Sequence, residues 1–247
     1  MNNKLFHLLS TELSSYEAKY IIEEVGPDED KILEILQKRK QGIPLDRIFQ
    51  KRGFYNHEFV INDSCLSPRA DSEIMIEAIL ASKINPKNIV DIGTGSGCLL
   101  LTLLDIFKSA KGTGLDISQG AVNMAKTNAD NLKITNAGFK KIDILKEDFD
   151  FSDFDLIISN PPYIPTQDID SLDDNVKNFD PALALDGGED GLVFYKRFYE
   201  LLKDSNPRIF FEFGINQEDE IIEIFKGFKH ELFKDYNQIK RVIYFHK

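Results

Sequence analysis

The chain is poor in the residues that staple small folds or hold metals. Of its 247 residues only Cys65 and Cys98 are cysteine, in separate segments with neither CxxC nor zinc-ligand spacing. That excludes a disulfide scaffold and points to two reduced thiols in a cytosolic protein. The histidines His7, His57, His230 and His246 are scattered without ligand spacing, so no metal is expected. Cations are also scarce: 30 Lys and Arg stand against 41 Asp and Glu, a formal net charge of −11. Such a balance disfavours binding to a phosphate backbone, which relies on Lys and Arg to release counterions. No direct nucleic-acid partner is therefore expected. Long apolar runs are missing too. The longest, around Cys98 to Leu104, falls short of the roughly 20 residues a membrane span requires. The run Leu5 to Leu9 is broken at once by Ser10, Thr11 and Glu12, unlike a signal peptide. A soluble, cytoplasmic, monomeric protein without membrane contact is the expectation.

What remains is an ordinary globular mix, 42% hydrophobic and 29% charged, enough for a sizeable core. The length allows one large domain, or a medium domain with a small appendage. Residues 1 to about 42 read as helical. Glu17, Ala18, Tyr20, Ile21 and Ile22 lead to a stop at Gly26-Pro27, and a second helix starts after Asp28 with Ile32, Leu33, Ile35 and Leu36 on its buried face. Lys38-Arg39-Lys40 suits the negative end of that helix dipole. Residues 49–61 change period. Phe54, Tyr55, Phe59, Val60 and Ile61 around Asn56-His57-Glu58 suggest a β-hairpin with His57 exposed at its turn. Ser67 to Glu73 leads into an amphipathic helix from Ile74 to Leu80, with Asp71 or Ser72 as its cap.

From residue 88 strands and helices alternate. Strands are expected at 88–92, 113–117, 139–142, 155–159 and 208–213, with helices at 98–107, 118–130, 192–202 and 219–225, and a closing pair of strands at 231–233 and 241–245. This spacing implies an α/β fold, a mostly parallel sheet with helices on both faces. The acidic stretch from Asp168 to Asp190 reads as a long loop, and loops of that length are often functional. The domain expectation is a small helical unit at 1–48, a hairpin linker at 49–66 and a main body at 67–247.

Four strand ends carry chemistry. Asp91-Ile92-Gly93-Thr94-Gly95-Ser96-Gly97 joins the first sheet strand to the first helix. Glycines there permit a tight turn, and N–H groups at the helix start face a ligand. The spacing is GxGxG rather than GxGxxG, which disfavours a nicotinamide dehydrogenase. Asp116 ends the second strand, where α/β nucleoside-binding folds place a carboxylate for ribose hydroxyls; the alternative is a cap for the helix near Ser118. Asp143 ends the third strand and either meets an adenine amino group, with Ile144 packing on the ring, or is a plain surface carboxylate. The fourth strand, Phe154 to Ser159, runs into Asn160-Pro161-Pro162-Tyr163. Neither proline has an N–H to extend the sheet, so the tip presents an amide, free carbonyls and an aromatic ring. Ligands in open α/β sheets lie outside the carboxyl ends of the strands, which gathers Gly93, Asp116, Asp143 and Asn160 around one crevice.

Together these residues resemble the class I S-adenosylmethionine-dependent methyltransferases, and the Asn-Pro-Pro-Tyr tip resembles those that methylate a planar nitrogen. The match narrows to the HemK/PrmC family, the glutamine N5-methyltransferases of peptide chain release factors. Pro68-Arg69-Ala70-Asp71-Ser72-Glu73 looks like that family's PRPETE segment. Asp180 to Leu192 is similar to its EPxxALxGGxDGL loop, and Glu212 to Gln217 to a later family segment. The sequence departs from the pattern at Arg47, where the family usually has Tyr, at Gln50, where it usually has Gly, and in a shorter helical appendage. The resemblance implies a Rossmann-like fold and a substrate-docking role for the helical unit. S-adenosylmethionine would lie on Gly93, Thr94, Gly95, Ser96, Gly97, Asp116, Asp143, Ile144 and Asn160, leaving S-adenosylhomocysteine as product. A release-factor glutamine would lie on Asn160, Pro161, Pro162 and Tyr163. Of these, Asn160 and Pro161 would accept the amide N–H groups while Tyr163 packs on the amide plane.

Rival acceptors share the tip. A glutamine of a ribosomal protein is the nearest, and an adenine or guanine amino group is also a planar nitrogen. Residues 168–190 carry eight acids against Lys177 alone, the opposite of the basic track a nucleic acid needs. A nucleotide-binding module without catalysis leaves the tip unexplained.

Overall fold

A computed structural model describes residues 3–247; Met1 and Asn2, part of the expected helical stretch, lie outside the described residues. Helices α1 (Asn3–Ser10), α2 (Ser15–Val25) and α3 (Glu29–Lys40) pack Leu5, Leu9, Ala18, Ile21, Ile32, Ile35 and Leu36 into a core of their own. The breaks follow local chemistry. Ser14 and Glu17 form a capping box at α2, Gly26 ends it at φ 72°, and the Asp28 carboxylate accepts from the Lys31 N–H to start α3. Leu33, expected on the buried face, is 44% exposed. Ile32, Ile35 and Leu36 share one side of the helix, and one residue's 100° rotation carries Leu33 away from it. The basic triplet is spent on ion pairs: Lys38 with Glu34, Arg39 with Glu17, and Lys40 with Glu12.

A short helix α4 (Leu45–Phe49), absent from the sequence reading, leads into strands β1 (Lys51–Phe54) and β2 (His57–Val60). The hairpin turns at Tyr55-Asn56, pairing Phe54 with His57 and Arg52 with Phe59. The expected turn at 56–58 is thus corrected. The two-residue turn puts Phe54 and Phe59 on one face, where both are buried, whereas the longer turn would place them on opposite faces. His57, expected to be exposed, starts β2 half-buried with Nε2 3.3 Å from Asp105 Oδ2.

Beyond the hairpin come α5 (Glu73–Ala81), β3 (Asn88–Ile92), α6 (Cys98–Ile106), β4 (Lys111–Asp116), α7 (Gln119–Asn131), β5 (Ala137–Lys141) and β6 (Leu156–Ser159). After them lie α8 (Asp174–Lys177), α9 (Val193–Leu202), β7 (Arg208–Glu212), α10 (Glu218–Ile224), β8 (Lys229–Lys234) and β9 (Lys240–His246). The sheet order is β5-β4-β3-β6-β7-β9-β8. The first five strands pair in parallel and β9 joins antiparallel to β7 and β8. Each face has its own core, and neighbouring residues on one strand serve opposite sides. Phe210 stacks on Tyr244 at 4.3 Å on one face, while Phe211 stacks on Phe198 at 5.1 Å on the other. This is the class I methyltransferase fold expected from the sequence. Strand order reverses beside β3: the chain runs outward through β4 and β5, then returns to pair β6 on the other side. Ligands of open α/β sheets bind at that switch point. The expected loop at 168–190 holds α8 and 3-10 turns at Thr166–Ser171 and Ala182–Ala184.

Candidate active site

The turn after β3 is tied to its neighbour by backbone. Gly93 and Thr94 both donate to the Leu115 carbonyl, at 2.8 and 2.9 Å. Gly93 and Gly95 hold φ of 76° and 55°, a region that costs glycine nothing. Gly95 N–H donates to Asp116 Oδ2 and Ser118 N–H to Asp116 Oδ1, both at 2.9 Å. Burial raises the Asp116 pKa, against the lowering pull of these N–H groups. The α7 cap is Ser118, whose hydroxyl accepts from the Ala121 N–H, so Asp116 is left to face the crevice. Asp91 is 1% exposed; it accepts the Thr94 hydroxyl at 2.8 Å and is pushed up to about 7 by burial, with the Asp116 charge adding. Gly97 lies elsewhere: a Cβ there would sit 3.1 Å from Leu101 and 3.2 Å from Ala125, so this glycine lets α6 and α7 approach.

A cavity of about 700 Å³ opens at these strand ends. Gly93, Thr94, Gly95, Ser96 and Asp116 line it, as do Asp143, Ile144, Asn160, Pro161 and Pro162. Gly97 and Tyr163 do not. Asp143 also holds its own turn, accepting from Leu145 N–H and pairing with Lys146 at 2.8 Å. Ile144 is buried in the core. Sequence reasoning missed Ile117, Leu145, Leu183 and Val193, which line the same cavity and are among the exposed large apolar residues. An isolated apolar residue reads as core; only the fold shows these four bordering one cavity.

The tip forms a wall. Ser159 Oγ donates to the Ile92 carbonyl at 2.6 Å, fixing β6 beside the glycine turn. Asn160 Nδ2 donates to Ser72 Oγ at 3.0 Å. Asp71 or Ser72 was expected to cap α5, but a 3-10 turn (Ala70–Ser72) runs directly into the helix with no side-chain cap, which leaves the Ser72 hydroxyl for Asn160. A second cavity of about 380 Å³ shares Leu66, Arg69, Asn160, Pro161 and Ala184 with the first and is lined also by Tyr163, Asp71 and Glu212. The Tyr163 hydroxyl donates to Glu212 Oε1 at 3.3 Å. Glu212 is 2% exposed and pushed up to about 7 by burial and the Asp71 charge, opposed by Ser72, Arg241 and Tyr163. The signal that would have found it is positional: like Asp116 and Asn160 it ends a parallel strand.

Two fastenings hold the loop after the tip. Ile164 N–H donates to the Leu185 carbonyl and Gly187 N–H to the Ile164 carbonyl, at 3.1 and 2.8 Å. Gln217 Nε2 donates to the Tyr163 carbonyl at 2.9 Å, and a Cβ on Gly191 would lie 2.3 Å from that oxygen. The second fastening is ionic. Asp180, buried, takes Arg47 Nη2 at 2.6 Å and Arg69 Nη2, while Arg47 also donates to the Asn62 and Cys65 carbonyls. Arg47, a departure in the sequence, thus joins α4 to the loop. Among the described residues no group of three or more His, Cys, Asp or Glu is placed to hold a metal, and no helix is long and apolar enough to cross a membrane.

A family model described as a methyltransferase domain matches residues 85–206. The release factor glutamine methyltransferase of Bacillus subtilis is 35% identical over 236 residues, covering 90% of this chain and 82% of that protein. This chain belongs to the release factor glutamine methyltransferase family. Relatives of the same description in Fusobacterium nucleatum (37% identical, 87% of this chain) and Rhodospirillum rubrum (41% identical, 70% of this chain) are longer. The chain spans 64% of the first and 53% of the second. Among solved structures, the hMettl16 catalytic domain superposes with a TM-score of 0.59 at 14% identity, covering 76% of this chain and 74% of that one. A putative O-methyltransferase from Nostoc punctiforme gives 0.51 at 15%, covering 72% and 56%. At these identities the likeness shows the methyltransferase fold alone.

Proposed function

We propose that this member of the release factor glutamine methyltransferase family moves a methyl group from S-adenosylmethionine to the side-chain amide nitrogen (N5) of the glutamine in the Gly-Gly-Gln motif of peptide chain release factors. One observation carries the reading: Asn160 and Pro161 line both cavities. Leu66, Arg69 and Ala184 line both as well, so a cofactor in one cavity and an acceptor in the other would meet at the Asn160 tip.

The larger cavity suits the cofactor in size and lining. Its volume lies in the range of small-molecule sites, its apolar border offers surface to an adenine, and Asp116 keeps lone pairs for ribose hydroxyls beyond the two N–H groups it accepts. Thr94, Gly95 and Ser96 would sit along the ligand, and Asp143 would approach the base. When bound, S-adenosylmethionine supplies an electrophilic methyl on a sulfonium, so no strong base is needed first. The work of this chain is orientation. With Nδ2 engaged by Ser72, Asn160 has Oδ1 free to accept one acceptor N–H, and the Pro161 carbonyl accepts the other. Both oxygens favour a nitrogen lone pair aimed at the methyl and stabilise the positive charge the nitrogen gains. Placement of this kind is worth on the order of 7–11 kcal/mol. S-adenosylmethionine held there would supply the methyl to the acceptor nitrogen, leaving S-adenosylhomocysteine, and the surplus N–H proton would leave to water. Tyr163, on the second cavity, bounds the space for the amide.

We further propose the division at 1–48, 49–66 and 67–247, with the helical unit docking the protein acceptor, and a monomer acting in the cytoplasm. The deciding experiment incubates the protein with labelled S-adenosylmethionine and a release factor, a ribosomal protein or DNA, and locates the methyl by mass spectrometry. Methylation of the Gly-Gly-Gln glutamine is expected; label on the ribosomal protein or DNA alone overturns the reading.

A further inference from the structure

We infer that α4 is a strut that carries the position of the helical unit to the rim shared by both cavities, with Arg47 and Asp180 as its positioning pair, so that an acceptor held on the helical unit presents its glutamine at the Asn160 tip in one register. The inference rests on the glutamine reading above for its acceptor, though the rigidity of the strut can be measured with no acceptor present.

The two faces of α4 belong to different parts of the molecule. Leu45, Ile48 and Phe49, spaced i, i+3 and i+4 and so on one side of the helix, pack against the core of α1, α2 and α3. Asp46 and Arg47 take the other side and grip the main body. Asp46 Oδ2 accepts the Ser67 hydroxyl. The Arg47 side chain, 6% exposed, donates to the Asn62 and Cys65 carbonyls and to Asp180 Oδ1 at 2.6 Å. A planar guanidinium fixes direction as well as charge, because its donors form a rigid fork. The chain then leaves α4 through Gln50 at φ 55°. A residue with a Cβ holds that conformation only where its surroundings impose it, so the angle between α4 and β1 is set by packing. Both sequence departures, Arg47 and Gln50, fall at this joint.

Asp180 passes the grip to the rim. Of the residues lining both cavities, Leu66 and Arg69 come from the stretch before α5 and Ala184 from the loop after the tip. Among the described residues no backbone hydrogen bond joins 62–69 to 172–191. The buried Asp180 carboxylate makes that join: Oδ1 takes the Ser67 N–H at 3.3 Å beside Arg47, and Oδ2 takes Arg69. Without Arg47 the rim keeps Ser67 and Arg69 on Asp180 but loses its tie to the helical unit. Without the Asp180 charge the rim itself loosens. Register matters because a misplacement of about 1 Å at a reacting atom can cost roughly 10²-fold in rate.

The test compares two acceptors, a whole release factor and a short Gly-Gly-Gln peptide that enters the second cavity without reaching the helical unit. Arg47→Ala is expected to lower kcat on the release factor about 10- to 100-fold, with acceptor KM nearly kept, and to leave kcat on the peptide within about twofold. Arg47→Lys, which keeps the charge and loses the fork, should show the same split at smaller size. Asp180→Asn should lower kcat on both acceptors. In cofactor-free protein, backbone residual dipolar couplings of α1–α3 and of the sheet should fit one common alignment in the wild type and two different alignments in Arg47→Ala. Equal losses on the two acceptors in the Arg47 variants, or one common alignment in Arg47→Ala, overturns the inference. If the wild type methylates neither acceptor, the glutamine reading fails, and the dipolar couplings still decide the strut.

Discussion

The two sides of the Asn160 tip are built from different material. On the side proposed for the cofactor the polar contacts come from backbone: Gly93 and Thr94 N–H on the Leu115 carbonyl, Gly95 and Ser118 N–H on Asp116. All of these residues fall between 91 and 118. On the side proposed for the acceptor the contacts run from side chain to side chain, Asn160 to Ser72 and Tyr163 to Glu212, drawn from three distant stretches. A backbone N–H donates at any pH and survives most substitutions. A hydroxyl or carboxylate changes its hydrogen bonding when a neighbour titrates. The cofactor wall should thus respond to mutation by graded loss of affinity, and the acceptor wall by loss of turnover.

The largest expected effect breaks the acceptor side at its anchor. Asp180→Ala leaves the buried Arg47 without its partner, and the 38%-exposed Arg69 with it, and should cost about 3–5 kcal/mol, read from denaturant unfolding; a loss under about 1 kcal/mol, the range of exposed pairs, would show that the cluster holds nothing. Next is Asn160→Ala, expected to lower kcat about 10²–10³-fold while cofactor affinity changes little; full methylation by this variant would remove the tip from the chemistry. Asp116→Ala should do the reverse. It should weaken cofactor binding by about 1.5–3 kcal/mol in calorimetry, with turnover at saturating cofactor nearly kept, and an unchanged dissociation constant would refute the ribose role. The smallest effect lies outside both walls. Ser14→Ala removes the α2 cap and should cost about 1 kcal/mol in thermal unfolding, leaving kcat as it was.

Much of the cofactor side was legible because its signals are local. Glycines at 93 and 95 announce a turn, Asp116 falls at the end of the next strand, and the breaks at Gly26 and Asp28 follow from capping chemistry that needs no tertiary partner. The misplaced features share the opposite property. Leu33 is apolar but turned from the core; the hairpin turn was decided by the need to bury Phe54 and Phe59 together; Ser72 looked like a cap and became a partner of Asn160. Asp168 to Asp190 read as loop because its helical turns are too short to show a period.

By itself, then, the sequence determined the alternation of strand and helix, since side-chain period depends only on neighbours along the chain. It also placed Asp116 and Asn160 at the ends of parallel strands, though not Glu212. It carried the Asn-Pro-Pro-Tyr tip, whose stiffness is a property of two adjacent prolines. Only the tertiary structure decided that this tip borders two cavities and that a carboxylate 52 residues further on is buried beside it. That burial raises the pKa of Glu212, because the cost of a buried charge belongs to the surroundings that assemble around it and not to the residue.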